Sequence, residues 1–303
     1  MITLPFTRAT FASEMKPKFS GANLTLEYDN LESPLSKVAV EMSDLLSLAL
    51  YNKICTKTAA TGEGSELLNN EAIDYLQRAM LHFAVYEQTI YLITRISNDG
   101  ITVKKNDDET TAFKYLQDEL NDKLIEDAWF WFNRLVILIE ANAEKFSDWA
   151  EAPKKKELAA LPVTVTDFAK WVGVSSNYFV LQAAWIIREV WTECVLSRKK
   201  EPSKTDDIAR AVCYDTMARA TQRLPFHALP KPIRFEVNNE MKKTNGDKSE
   251  GHVRETIATY FTARADAFWR SLDIKTQADT TSDIASQEAY TPNGITETDS
   301  FAY

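Results

Sequence analysis

The chain is poor in the residues from which most binding and catalytic loops are built. Glycine occurs 8 times in 303 residues, against a usual share of about 7%. The nearest approach to a phosphate loop is Gly62 and Gly64 in Thr-Gly-Glu-Gly-Ser-Glu, and no Lys-Ser/Thr follows, which excludes a P-loop. Histidine occurs 3 times, as His82, His227 and His252. Cysteine also occurs 3 times, as Cys55, Cys194 and Cys213. There is no Cys-x-x-Cys and no His-Glu-x-x-His, so the common sequence forms of zinc sites are missing. An odd number of widely spaced cysteines suits unpaired thiols in a reducing compartment. No apolar run approaches the ~20 residues of a membrane-spanning helix. The start, MITLPFTRAT, lacks the basic opening and long apolar stretch of a secretory signal. Positive charge is in deficit too: 35 Lys and Arg stand against 44 Asp and Glu, a net charge of −9. Such a balance speaks against general nucleic-acid binding, although a local basic patch remains compatible with it.

What is present describes a folded chain. Hydrophobic residues make up 45% and charged residues 26%, ordinary values for a globular protein. The length is near the upper limit for one hydrophobic core and comfortable for two domains. The acidic charge is uneven. Six acids (Asp273, Asp279, Asp283, Glu288, Glu297 and Asp299) face one base, Lys275, from residue 273 onward, so this stretch carries −5.

The periodicity predicts a mainly α fold. Residues 1–34, punctuated by Pro5, Pro17, Gly21 and Pro34, read as an extended N-terminal arm. Residues 35–152 read as a first helical subdomain. Its first helix carries the stripe Val38, Met42, Leu45, Leu46, Ala49 and Leu50, and a second runs over about 69–95. The turn Asp99-Gly100 with Ile101 and Val103 predicts a short strand. A third helix covers about 110–143, with Phe113, Leu116, Leu120, Leu124, Ala128, Trp131, Leu135 and Leu138 as its buried face. Residues 153–272 read as a second helical subdomain, with helices over about 177–197, 206–223 and 249–272 and a short strand at Ile233–Val237. Residues 273–303 form an acidic, polar C-terminal tail. The two halves share the order helix, loop, helix, short strand, helix, which suggests a duplication. Gly100–Val103 matches Pro232–Val237, and Asp127-Ala128-Trp129 matches Asp266-Ala267-Phe268-Trp269.

No catalytic, cofactor-binding or metal-ligating set emerges, so no cofactor and no enzymatic activity are expected. The histidines read as a packed helix residue, a turn residue and a surface residue, because no nucleophile or further ligand accompanies them. Asp118, Asp122 and Glu126 share a helix face, yet Glu-x-x-His pairs for a di-metal bundle are missing. The densest aromatic site is Trp129-Phe130-Trp131-Phe132. Four consecutive aromatics point to all sides of a helix, so this helix is either central or presents an anchor to another subunit. Candidate subunit contacts are Trp129, Trp131, Trp185, Trp191, Phe301 and Tyr303, with Trp269 open to the same two readings. The runs Lys154–Lys156 and Arg198–Lys200 read as solvated connections or contacts to phosphates or an acidic neighbour, without the aromatics that stack on bases.

Three stretches carry a family resemblance: AVYEQTIYLI; ISNDGITVKKNDDETTAFKYLQDEL; and the ending FSDWAEA. With VTDFAKWVGV and the LPKPIRF segment of the second half, about residues 35–272 resemble an uncharacterised family of Bacteroidetes phages and prophages, relatives of the crAss-like phages. Members of that family look like head–tail connector proteins. The Asp99-Gly100-Ile101 turn and Phe146-Ser-Asp-Trp149 are its most specific pieces, and neither is a catalytic signature. The resemblance implies a structural virion protein of the neck, made in the host cytoplasm. It implies a homo-oligomeric ring of about twelve copies docked below the portal protein and touching other neck or tail proteins. Double-stranded DNA would pass through it without sequence-specific binding, and no membrane would be involved. Two other readings stay open: a non-viral helical scaffold or adaptor, and an all-helical enzyme whose site forms only in three dimensions.

Overall fold

The computed structural model describes residues 2–19, 27–97, 100–103, 114–161, 163–198, 205–243 and 249–287. The fold is mainly α. It opens with α1 (Arg8–Thr10) and a π-type turn at Phe11–Met15. Then come α2 (Tyr28–Leu46), α3 (Leu48–Cys55), α4 (Ser65–Ile93), the strands β1 (Thr94–Ser97) and β2 (Gly100–Val103), and α5 (Lys114–Ala141). The short α6 (Ser147–Ala150) and α7 (Pro153–Ala159) lead to α8 (Val165–Val172), α9 (Asn177–Gln182) and α10 (Ala184–Val190). The chain ends with α11 (Asp206–Arg223), α12 (Lys231–Lys243) and α13 (Glu250–Gln287).

Two long antiparallel helix pairs frame the molecule. In the first, Tyr75 of α4 meets Arg134 of α5, Arg78 meets Trp131, and His82 meets Asp127. The tip of this pair is the β1–β2 hairpin, with Thr94 opposite Val103 and Ser97 opposite Gly100. In the second, Arg210 of α11 lies over Phe268 of α13, and Arg254 donates to the Leu224 carbonyl at 2.7 Å. Buried side chains from residues 35–152 and from 153–272 belong to one continuous cluster. Phe83, Phe132, Tyr178 and Phe179 are among its largest members.

Several expectations are corrected. Residues 2–19 are not an extended arm. Phe6, Phe11 and Met15 are buried in the chain's own core. Gln77 donates to the Pro5 carbonyl at 2.8 Å, and the Phe19 ring stacks on His82 at 4.9 Å. The first helix starts at Tyr28 and includes Pro34. Interior proline costs ~3 kcal/mol, but Leu31 and Leu35 are fully buried on the same face, and each such burial returns ~1.5–3 kcal/mol. The strand expected at Ile233–Val237 is helix α12. Ile233 and Val237 are both buried, and a spacing of four places them on one helix face as readily as alternation places them on a strand. Pro232 is tolerated because it lies in the first turn, where the N–H has no helical partner. Gly100–Val103 and Pro232–Val237 therefore differ in structure, which removes the strand match from the proposed duplication. Finally, α13 continues through Asp273 to Gln287, so the first half of the expected tail is helical. Residues 288–303 lie outside the described residues.

Candidate assembly surface

The surface is built on α5. Its buried face is Leu124, Ala128, Phe132, Leu135 and Ile139. Leu116 and Leu120, expected on that face, are exposed at 43% and 49%. The reason is helical drift: residues four apart advance by 400°, so a stripe at 116, 120, 124 and 128 winds around the helix by ~40° per step. Across a cleft of about 670 Å³, Leu116 and Leu120 face the α12 residue Phe235, which is exposed at 57%. Phe130, exposed at 54%, lies outside this cleft, in a neighbouring depression with Pro230 and Pro232. The outer face of α5 therefore carries two exposed leucines facing an exposed aromatic.

The cleft walls are fixed by ion pairs. Lys231 of α12 meets Glu126 of α5 at 2.5 Å, and Arg234 donates through Nε to Asp122 at 3.1 Å. Arg234 is almost fully buried, also donates to the Leu229 carbonyl at 2.5 Å, and lies 5.5 Å from the centre of the Trp129 ring. Burial pushes its pKa down, and the Asp122 carboxylate works against that shift. The rim is predominantly acidic. Asp118, Glu119, Asp122 and Glu126 line the cleft with Lys123 and Lys231. Lys123 is itself tied to Asp127 at 2.8 Å.

Behind this surface a half-buried polar node, with Tyr178 as its fully buried member, joins the halves. Glu41 of α2 accepts from Tyr178 and from Gln182 at 2.5 Å, and lies 3.4 Å from His227. Burial alone would raise the Glu41 pKa. Hydrogen bonds from His227, Tyr178 and Gln182, with the His227 charge, outweigh it and hold the carboxyl below its ordinary value. Trp129 donates through Nε1 to the His227 carbonyl at 2.9 Å.

The aromatic candidates separate accordingly. Trp129 is half-buried and engaged with His227 and with the Tyr178 ring at 5.1 Å. Trp191 is buried in the core. Both pack into the chain's own interior. Trp131 is half-buried beneath Arg78, whose guanidinium is 4.6 Å from the ring centre. Trp185 is exposed. Trp269 is buried and donates to Asp215 at 3.1 Å. Phe301 and Tyr303 lie outside the described residues. The sequence reading missed Phe235, hidden by the strand expectation, and Leu116 and Leu120, placed on the wrong face.

The basic runs are partly engaged within the chain. Lys155 pairs with Glu140 and Lys156 with Glu151. Arg198 meets Asp273 at 2.9 Å. Among the described residues no group of three or more His, Cys, Asp and Glu could hold a metal ion. His82 is buried, with Nδ1 2.7 Å from the Arg78 carbonyl and Nε2 3.9 Å from Asp127, while His252 is exposed. Among the described residues no helix is long and apolar enough to cross a membrane.

Residues 42–158, from within α2 through most of α7, match the model of a family described as a family of unknown function, DUF6712. No curated protein and no solved structure matches the chain. The matched stretch covers less than half of the chain and includes the α4–α5 pair with its hairpin.

Proposed function

We propose that this chain is a structural subunit that works by assembling with copies of itself, as a head-to-tail connector ring below the portal of a tailed phage. The observation that carries the assembly part is the exposed pair Leu116 and Leu120 facing exposed Phe235 across an acidic cleft. Exposed apolar side chains gathered in a cleft with a polar rim are a common mark of a protein–protein contact. The phage part rests on the sequence resemblance over residues 35–272. The net charge of −9 suits a DNA conduit, since a wall that bound phosphates tightly would hold back the passing strand. The pairing of Lys155 and Lys156 with acids of their own chain lowers phosphate affinity further.

The test is quantitative mass spectrometry of purified virus particles from the source community. The reading expects this chain in the particle at about twelve copies, at a fixed ratio to the portal protein. Its absence from DNA-filled particles would exclude a connector role and favour the scaffold reading.

A further inference from the structure

Helix α13 presents a second unpartnered surface that complements the first. Its inner face, with Ala258, Ala265 and Trp269, is buried. On the opposite side lie Tyr260, Ala263, Ala267, Arg270 and Ile274, all exposed and spaced by three, four, three and four. That is the spacing of a helix seam that packs along another helix. Tyr260 is exposed at 53% and Ile274 at 66%. Arg270 within the stripe and Arg264 beside it have no ion-pair partner among the described residues. Arg264 lies only over the ring of Tyr260, 5.4 Å away.

We infer that the α5–α12 cleft receives the outer face of α13 from a second copy of this chain. This deepens the assembly reading and rests on it. Three features select that occupant. The first is charge: four carboxylates and two lysines line the cleft, and the α13 stripe brings two free arginines. Glu119, exposed on the cleft rim, likewise has no ion-pair partner among the described residues. The second is length: the cleft runs along α5 from Leu116 to Glu126, about 15 Å of helix, and the stripe from Tyr260 to Ile274, about 21 Å, is long enough to fill it. The third is the poor fit of the competing occupant in the same chain. Residues 288–303 end in Phe301 and Tyr303 but add Glu288, Glu297 and Asp299 and no base, so they bring like charge to an acidic rim. The contact joins two different faces, so copies can follow one another around a closed ring or exchange faces in a closed pair.

Charge reversal tests this contact. One variant carries Glu119→Arg. The other carries Arg264→Glu and Arg270→Glu together, because the orientation and register of α13 in the cleft decide which of these arginines meets Glu119. All three side chains are exposed, so folding is undisturbed, which circular dichroism and melting check. Self-association is read by sedimentation of the full chain. Each variant alone is expected to associate at least about tenfold more weakly than wild type, since Glu119→Arg removes the cleft's net negative charge and sets a cation against the arginines, while the reversed α13 meets a cleft that is still acidic. An equimolar mixture is expected to return to within about threefold of wild type, because every contact between unlike copies is again complementary. Variants that each associate like wild type, or a mixture no better than its components, would overturn the contact while leaving the ring in place. A closed wild-type dimer with rescue in the mixture would keep the contact and contradict the ring. Wild-type chains that stay monomeric throughout the micromolar range would overturn both.

Discussion

At the scale of single residues, burial sets the chemistry of the few reactive groups. Burial pushes the Cys55 thiol up to about 12 and the Cys194 thiol to about 11, the latter helped by the Asp215 carboxylate. Cys213 is fully buried. Since the thiolate is the nucleophile, iodoacetamide at pH 8 is expected to label Cys194 about a hundredfold more slowly than a free peptide thiol, with Cys55 slower still. Mass spectrometry of a labelling time course checks this. His82 gives a pH signature. Burial pushes its pKa below 6.5, against the pull of the Arg78 carbonyl and the Asp127 carboxylate. The unfolded chain takes up this proton near 6.5 and the folded chain only at lower pH, so stability is full above 6.5 and declines as the pH falls below it. Urea midpoints measured from pH 7.5 to 5.5 should fall for the wild type and fall less for His82→Gln. Equal slopes would show that His82 does not titrate differently in the two states. The reading of His82 as a packed helix histidine was available from its neighbours Met80, Leu81 and Phe83. Its partners Phe19 and Asp127 were not, because they arrive from distant segments.

At the scale of elements, long helices were legible and their exact faces were not. The limits of α11 follow from Thr205 and the two aspartates after it, since the Thr205 side chain accepts from the Ile208 amide. The break between α2 and α3 was not legible. One amphipathic stripe runs through both, yet Ser47 takes φ 75°, ψ 145°, and its side chain accepts from the Leu50 amide. Positive φ is strained for any residue with a Cβ and most for a β-branched one. Ser47→Val adds that strain to a lost cap and is expected to destabilise the protein by about 2–3 kcal/mol. Ser47→Gly relieves strain, loses only a few tenths from the cap, and should stay within about 1 kcal/mol of wild type. Thermal denaturation of the two variants decides the point, and equal losses would contradict the strained-cap account. The misreading of α12 has a different cause. Ile-Arg-Phe-Glu-Val satisfies the strand period and the helix period at once, and only the surroundings choose. Here Arg234 must face Asp122 while Ile233 and Val237 enter the core, an arrangement that one side of a helix provides.

At the scale of the whole molecule, the two halves share a core and a polar node. Glu41→Leu would strip Tyr178, Gln182 and His227 of their common acceptor. An orphaned buried donor costs ~1–3 kcal/mol, and of these donors Tyr178 is the fully buried one, so the loss should be about 1–3 kcal/mol, in a single cooperative transition that involves both halves. The Glu41 pKa below its ordinary 4.5 means that its contribution is present above pH 4.5 and lost as the pH falls from there through the folded value. Two separate unfolding steps in Glu41→Leu, with the second half unaffected, would contradict a shared node. The acidic balance and scarcity of catalytic motifs were readable from composition. The assembly surface was not, because it consists of leucines that look like core until the helix is placed among its neighbours, and of Phe235 on an element assigned to the wrong class. The central claim is that this chain functions as one copy in a ring, and electron microscopy of intact particles tests it most directly. The account predicts ring density at the portal vertex into which the α4–α5 and α11–α13 pairs fit, with α13 of each copy against the α5–α12 cleft of the next. A portal vertex resolved to side-chain detail in which every ring is built from other chains would contradict it.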